Sequence, residues 1–229
     1  MKKALKIAIP AAILVLAGIG LYFTFPLLAM KPAETGIIDA NNLTTYALRS
    51  GRGNLYLVDT GEGYLMIDAG ASVKSVEAGL GELRIHSSEI KWVLLTHTHG
   101  DHVAALPLFP HAEVYMGSSE TPPAAPQNIK LLSGDESLIF GNVEIECIAA
   151  PGHTPGSMTY CVRTAGWERS HLFTGDALRW SSTGANRGMG VHPFTMDKAL
   201  AEETIANLPT DAWMILTSHY GWFYPPILP

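Results

Sequence analysis

The pattern of hydrophobic and polar positions divides the chain into two parts. Residues 7–30 form an uncharged run of 24 residues, IAIPAAILVLAGIGLYFTFPLLAM. From residue 44 onward, apolar residues come in short runs separated by Gly, Pro and polar clusters. About 20 helical residues cross a bilayer core, whereas short apolar runs between turn residues are typical of strands. The pattern therefore predicts one membrane-spanning segment followed by a strand-rich domain.

The N-terminal run is predicted to be an uncleaved membrane anchor. Lys2, Lys3 and Lys6 precede it, and the positive-inside rule then places the N-terminus in the cytoplasm. A cleaved signal peptide is the alternative, but its apolar region would be shorter, and cleavage after Ala29 would find Leu27 where a small residue is preferred. We expect an anchor at 1–30 that contacts the membrane through residues 7–30, a linker at 31–43, and an extracytoplasmic catalytic domain at 44–229, on the periplasmic or outer face.

Within the domain, the pattern predicts a mixture of strands and helices. Residues 54–70 contain two apolar runs joined by a Gly-containing turn, which indicates a hairpin. Residues 71–85 have helical spacing, weakened by Gly79 and Gly81, and a short helix is expected from Gly100 to Pro107. Strands are expected at 91–96 and 112–117, and two strands joined by a turn at 142–164. Residues 170–178 and 212–221 are each expected to be a strand that runs into a loop, and 195–209 a further helix. This order is typical of two sheets covered by helices.

Charge and cysteine content narrow the function classes. The net charge is −6, and the 15 Lys and Arg residues form no basic run. The chain therefore lacks the electrostatic signature of a nucleic-acid-binding protein.

Two cysteines, Cys147 and Cys161, are too few for a disulfide framework. They form either one bridge between paired strands or two buried free thiols.

The segment LLTHTHGDH, residues 94–102, contains three of the nine histidines. In an extended segment His97 and His99 point the same way, so both imidazoles can reach one point. Gly100 permits a sharp turn, after which Asp101 and His102 open the next helix. Imidazole and carboxylate are ligands for zinc-class metals. Four such groups in six residues exceed what one ion takes from so short a segment, which indicates two ions.

Three further side chains stand where a strand gives way to a loop. His153 lies in the rigid turn of APGHTPGS, Asp176 in TGDAL, and His219 in SHYG. Functional residues are commonly carried on loops over a rigid scaffold. We therefore expect these three side chains to converge on the same edge as the histidine-rich segment.

The chain contains five motifs in order along its sequence: LMIDAG, the hairpin end that carries Asp68, then THTHGDH, PGHTPGS, TGDAL and SHYG. They resemble the motifs of the metallo-β-lactamase-fold hydrolase superfamily, in its glyoxalase II and lactonase-like branch. The resemblance covers about residues 44–221. It implies an α/β (α+β) fold, a four-layer αββα sandwich of two mixed β-sheets, with a dinuclear site between the sheets. It further implies a first ion on His97, His99 and His153, a second on Asp101, His102 and His219, Asp176 as the bridge, and Asp68 behind the ligands.

The activity implied by this resemblance is metal-dependent hydrolysis. A water held between two Zn²⁺ ions (or Fe or Mn) loses a proton near neutral pH and attacks the substrate. Asp101 is the candidate catalytic residue, orienting that water or shuttling a proton. The expected substrate is a small ester, lactone or thioester. The alternative is a mononuclear-iron oxidase or dioxygenase, or a non-hydrolytic metal-binding protein of the same fold.

The loop at 179–194, RWSSTGANRGMGVHPF, is predicted to face the substrate because it directly follows Asp176 and is rich in Gly. His86, His111 and His171 are interpreted as surface histidines without a role. The candidate substrate contacts are Trp180, Arg187, Met189 and Tyr220.

Overall fold

The computed structural model describes residues 30–39, 43–124, 128–181 and 188–225. Among these residues, no helix is long and apolar enough to cross a membrane. Residues 7–29 of the predicted membrane span lie outside the described residues, as does Arg187. The described residues from residue 31 onward belong to one compact unit, Lys31–Pro229.

The first sheet has seven strands in chain order, β1 to β7. The pairs from β1 to β4 are antiparallel, and those from β4 to β7 are parallel. The hairpin predicted at 54–70 is β3 and β4. The seven strands are β1 (Gly36–Asp39), β2 (Thr45–Ser50), β3 (Gly53–Asp59), β4 (Tyr64–Ile67), β5 (Ile90–Leu94), β6 (Glu113–Gly117) and β7 (Asn128–Leu132).

The second sheet has six strands in the order β15-β14-β11-β10-β9-β8. Only its β11–β14 pair is parallel. A separate two-stranded ribbon, β12 and β13, lies within the predicted substrate loop. The strands are β8 (Ser137–Phe140), β9 (Val143–Ala149), β10 (Met158–Thr164), β11 (His171–Gly175), β12 (Arg179–Ser181), β13 (Gly188–Gly190), β14 (Met214–Thr217) and β15 (Trp222–Phe223).

Helices cover the outer faces of both sheets. Helix α1 (Val73–Leu83) buries Val76 and Leu80 against the first sheet. Helix α3 (Lys198–Asn207), capped by Asp197, lies beside the second sheet, where Ile205 packs on its outer cluster. A third cluster, which includes Tyr56, Phe173 and Leu216, fills the space between the sheets. These layers form the αββα sandwich predicted from the motifs.

Gly79, which weakens the helical pattern of α1, is required by packing. A Cβ at this position would lie 2.5 Å from Cγ of Leu48 on β2, so a larger residue would push the helix off the sheet. The helix predicted from Gly100 to Pro107 is shorter than expected. Helix α2 spans only Gly100–Val103, and Pro107 falls inside a 3₁₀ turn, Leu106–Leu108.

The structure bears on the expectations for the two cysteines and for the predicted linker. Cys147 pairs with Tyr160, and Cys161 pairs with Glu146, so the two thiols point to opposite faces of the second sheet. Both cysteines are free and buried, and the alternative of a disulfide bridge is wrong. Within the predicted linker 31–43, residues Gly36–Asp39 form an edge strand on β2, so the sheet begins before residue 44.

Candidate metal centre

The predicted ligands meet at one edge of the sandwich because parallel strands end there together. Strands β4 and β5 run parallel, so Asp68 and the loop after β5 lie side by side. Strands β11 and β14 also run parallel, which brings together Asp176 and His219. The two sheets touch at this edge, where a Cβ on Gly175 would lie 2.4 Å from Oγ1 of Thr96. Only glycine fits at this close approach.

Three imidazole nitrogens converge on the first predicted ion site. Nδ1 of His99 lies 3.0 Å from Nε2 of His97 and 3.1 Å from Nε2 of His153. His97 and His153 are buried, whereas His99 is exposed. The structure thus brings together the three side chains predicted to hold one ion, with His99 on the open side.

The carboxylate of Asp176 lies between the two predicted ion sites. Its Oδ2 atom is 3.5 Å from Nε2 of His153, 3.6 Å from Nε2 of His102 and 3.3 Å from Nε2 of His219. Two ligand atoms on a tetrahedral zinc ion, each about 2.0–2.1 Å from it, are about 3.3 Å apart. These separations therefore suit ligation of a shared metal ion better than hydrogen bonding, so Asp176 could hold a metal together with residues of either predicted set.

Asp101 and His219 complete the second predicted set. Oδ2 of Asp101 lies 3.4 Å from Nε2 of His219, and its Oδ1 lies 3.9 Å from Nε2 of His102. Interaction with His219 lowers the pKa of Asp101 to about 2. The Asp101 side chain is 48% exposed, so with His99 it forms the solvent-facing side of the site.

The imidazole tautomers also fit a metal. Nδ1 of His102 donates to Oδ2 of Asp68 at 2.8 Å, and Nδ1 of His219 donates to the carbonyl oxygen of Arg52 at 2.9 Å. A neutral imidazole carries one N–H, so once either ring is neutral its Nε2 would have a lone pair for a metal. Nε2 of His102 is buried and has no hydrogen-bond partner among the described residues. A histidine that binds a metal through one ring nitrogen usually donates a hydrogen bond from the other ring nitrogen.

Burial and charge set the protonation of the cluster. Burial lowers the pKa of His97 and lowers that of His153 to about 4. Burial also opposes a charge on His102 and His219, but nearby carboxylates, including Asp176, outweigh it and raise both pKa values, that of His219 to about 10. Protons on these two rings therefore balance the carboxylates, and a bound metal ion would displace them because ligand imidazoles must be neutral.

Asp68, predicted to support the ligand loop, forms hydrogen bonds with the segment that carries the predicted ligands. Its φ of 61° turns the chain sharply after β4. The buried carboxylate accepts hydrogen bonds from the backbone N–H of Thr96, at 2.8 Å, and from the Thr96 hydroxyl, besides the one from His102. Asp68 therefore fixes both the start of the histidine-rich loop and the orientation of one ligand ring.

Glu120 is a supporting residue that no sequence pattern indicates. It follows β6, and one carboxylate oxygen accepts from the backbone N–H and the hydroxyl of Thr98, at 2.9 and 2.6 Å. The other oxygen accepts from the hydroxyl of Thr154 and from the N–H of Gly156. Thr98 and Thr154 each stand next to predicted ligands, so one carboxylate connects the two ligand-bearing loops. Its place in a Pro-rich loop gave no sequence signal.

His192 was seen only as part of the substrate loop, but it joins the cluster. It is buried, and its Nε2 lies 3.8 Å from Oδ2 of Asp176. Of the predicted substrate contacts, Tyr220 is buried with its ring 5.9 Å from that of His192, and Met189 is exposed. Trp180 instead stacks on Phe223, with ring centroids 4.0 Å apart.

A cleft of about 470 Å³ adjoins His192. Its walls come from β13, the segment after it and helix α3. The lining residues are Arg179, Met189, Gly190, Val191, His192, Pro193, Lys198, Glu202 and Ile205.

Several known proteins are similar to this chain. It is 32% identical over 160 residues to the hydroxyacylglutathione hydrolase of Aeromonas hydrophila, covering 68% of this chain and 57% of that protein. It is 31% identical over 119 residues to a probable polyketide biosynthesis zinc-dependent hydrolase of Bacillus subtilis, covering 50% and 49%. It is 26% identical over 165 residues to an atrochrysone carboxyl ACP thioesterase of Claviceps purpurea, covering 66% and 48%. The chain thus spans about half the length of these relatives.

Solved structures share the fold. The hydrolase AbOPH of the beta-lactamase superfamily has a TM-score of 0.66 at 20% identity, covering 87% of this chain and 99% of that one. The subclass B3 metallo-beta-lactamase BJP-1 of Bradyrhizobium japonicum has a TM-score of 0.63 at 20% identity, covering 83% and 79%. The sequence profile of the metallo-beta-lactamase superfamily matches residues 48–219, which include every predicted ligand. The chain belongs to the metallo-beta-lactamase superfamily.

Proposed function

We propose that this chain is a metal-dependent hydrolase that holds two zinc ions and cleaves a small ester, lactone or thioester. The observation that carries the proposal is the position of Asp176, whose Oδ2 lies 3.3–3.6 Å from imidazole nitrogens of both predicted ligand sets. A single ion would leave one set without a role. The proposed ligands are His97, His99, Asp101, His102, His153, Asp176 and His219.

Zinc, when bound, supplies a Lewis acid and lowers the pKa of water to near neutrality. The protein itself contributes by positioning the catalytic carboxylate and the ligand loops. Asp101 lies at the exposed side of the site, within 3.4 Å of His219, where its carboxylate can orient a water molecule and accept a proton. Asp68 and Glu120 hold the ligand loops in place, so the site requires little rearrangement during the reaction.

The cleft beside His192 supports an acyl substrate. Met189, Val191 and Ile205 offer apolar contact in this cleft. Its charged lining residues are the cations Arg179 and Lys198 and the acidic Glu202. An uncharged ester or thioester needs apolar contact and a few hydrogen bonds. Two relatives, named as a thioesterase and a hydroxyacylglutathione hydrolase, are consistent with this class.

The location of the enzyme is part of the proposal. Residues 7–30 carry no charge and follow three lysines. We propose that they anchor the chain in a membrane with the hydrolase on the extracytoplasmic side.

The test combines metal analysis with a substrate panel. The full chain, purified with its N-terminal segment in detergent, should contain about two zinc ions and hydrolyse aryl esters, lactones or thioesters faster than bis(p-nitrophenyl) phosphate. His97→Ala should lower both metal content and hydrolysis, whereas His111→Ala, at an exposed position, should change neither. One iron and no second metal would favour the oxidative alternative instead.

A further inference from the structure

His192 is a polar side chain beyond the seven proposed ligands that reaches the centre of the site. It follows β13 and is 1% exposed. Its ring centroid lies 5.0 Å from that of His153 and 5.5 Å from that of His219. Nε2 has no hydrogen-bond partner among the described residues, and Oδ2 of Asp176 is 3.8 Å away. A buried polar atom in this state is costly unless something else binds there.

The tautomer of His192 differs from that of two proposed ligands, His102 and His219. The backbone N–H of Phe194 donates to Nδ1 of His192 at 3.4 Å. A backbone amide can only donate, so Nδ1 is the acceptor and the ring proton lies on Nε2. In His102 and His219, by contrast, Nδ1 donates, so Nε2 is the nitrogen that would be free to bind a metal once the ring is neutral. His192 thus presents an N–H donor to the site, where the ligands present lone pairs.

The position of this donor suits a substrate atom. His192 lines the cleft of about 470 Å³ and also faces Asp176, so it stands where the cleft meets the metal cluster. The Tyr220 hydroxyl beside it is likewise buried without a hydrogen-bond partner among the described residues. An unsatisfied N–H donor at this position would stabilise an oxygen that gains negative charge during acyl cleavage.

We propose that His192 donates a hydrogen bond from Nε2 to the substrate's acyl or leaving-group oxygen, and is not an eighth metal ligand. This inference rests on the proposed hydrolase function. The rival assignment is ligation, because one atom from each of His153, Asp176 and His192 lies within 4.8 Å of the others. The two roles differ in whether metal binding needs the ring.

The experiment compares His192→Phe, which keeps an aromatic side chain but has no ring nitrogen, with His192→Gln, which keeps an N–H donor. His111→Phe is the exposed control. Zinc content and the visible spectrum of the cobalt-substituted protein should match the parent in all three variants. With an ester that the parent hydrolyses, His192→Phe should lower kcat by roughly 10²–10³-fold with a smaller change in KM. His192→Gln should recover at least about tenfold of this loss, as expected for a partly restored donor.

Two results would overturn the inference. Loss of one metal equivalent, or a changed cobalt spectrum in both His192 variants, would make His192 a ligand. A fully metallated His192→Phe protein with the kcat of the parent would reduce its role to packing. An inactive parent would refute the proposed hydrolase, which is a distinct result from an active parent that does not need His192.

Discussion

Nδ1 of His102 lies 2.8 Å from Oδ2 of Asp68, and both side chains are buried. The pair orients a proposed ligand from behind. Asp68→Ala would leave the ring of His102 and the N–H of Thr96 without their acceptor. We expect metal affinity to fall about 10–100-fold, as for other residues that hold ligands, with a smaller loss for Asp68→Asn. Titration of the metal-free protein with zinc against a competing chelator measures this, and parental affinity in Asp68→Ala would contradict it.

Glu120 gives a second test of ligand placement. Glu120→Ala removes the acceptor for Thr98 and Thr154 and so releases the two ligand-bearing loops from each other. We expect kcat/KM to fall about 10–100-fold, with a lower zinc affinity, and Glu120→Gln to lie between this variant and the parent. Glu113→Ala is the matched control, because Glu113 pairs with Lys130 on the surface. Equal behaviour of the two alanine variants would rule out a positioning role for Glu120.

The clustering of the proposed ligands could be predicted from the sequence because each stands in a short, recognisable motif. His97 to His102 are contiguous, and His153, Asp176 and His219 each stand in a recognisable strand-end motif. The residues that support them are different. Glu120 and His192 lie in loops, where no hydrophobic period marks a position, and only the folded chain brings them to the ligands.

The same distinction applies to the fold. The buried strands β5 and β11 carry apolar runs that predict them directly. Strands β7 and β8 were not predicted, because they mix exposed and buried positions and so lack a clear pattern. His171 was interpreted as a surface histidine, but it is buried against Asp39 and Thr45. A histidine at the start of an apolar run gives no indication in the sequence that residues of other strands will form hydrogen bonds with it in the folded protein.

The buried position of His171 predicts a pH effect on stability. Burial lowers its pKa, although Asp39 opposes the shift. Below about pH 6.5 the unfolded chain therefore takes up a proton that the folded chain does not, and the free energy of unfolding falls as the pH decreases. The slope from this group is at most about 1.4 kcal/mol per pH unit. In urea unfolding, His171→Gln should reduce the pH dependence of the free energy of unfolding between pH 6.5 and 5. The exposed control His111→Gln should leave it unchanged. Equal pH dependence in the parent and His171→Gln would contradict this prediction.

Membrane topology is open to a reporter test. A reporter that is active only outside the cytoplasm, fused after residue 229, should be active because the lysines before residue 7 retain the N-terminus in the cytoplasm. The same fusion without residues 1–30 is the control and should be inactive. Activity of a cytoplasm-specific reporter in the full-length fusion would refute the proposed orientation. Recovery of a chain beginning near residue 30 would instead indicate a cleaved signal peptide.

Met189 and Trp180, both predicted as substrate contacts, should behave differently. Met189 is 46% exposed and lines the cleft, so Met189→Ala removes apolar contact from the substrate side. We expect kcat/KM for esters with long acyl chains to fall about tenfold, and that for acetyl esters to change little, since each buried methylene contributes about 0.8 kcal/mol. A series of esters of increasing acyl length measures this directly.

Trp180→Ala supplies the comparison. Its ring lies flat on Phe223 and packs with the outer cluster of the second sheet, so its loss should destabilise the protein by roughly 2 kcal/mol. Chain-length preference should stay as in the parent, because Trp180 does not line the cleft beside His192. Urea unfolding and the same ester series separate the two effects. If Trp180→Ala alters the preference while Met189→Ala does not, then the indole ring, and not the thioether, contacts the acyl chain.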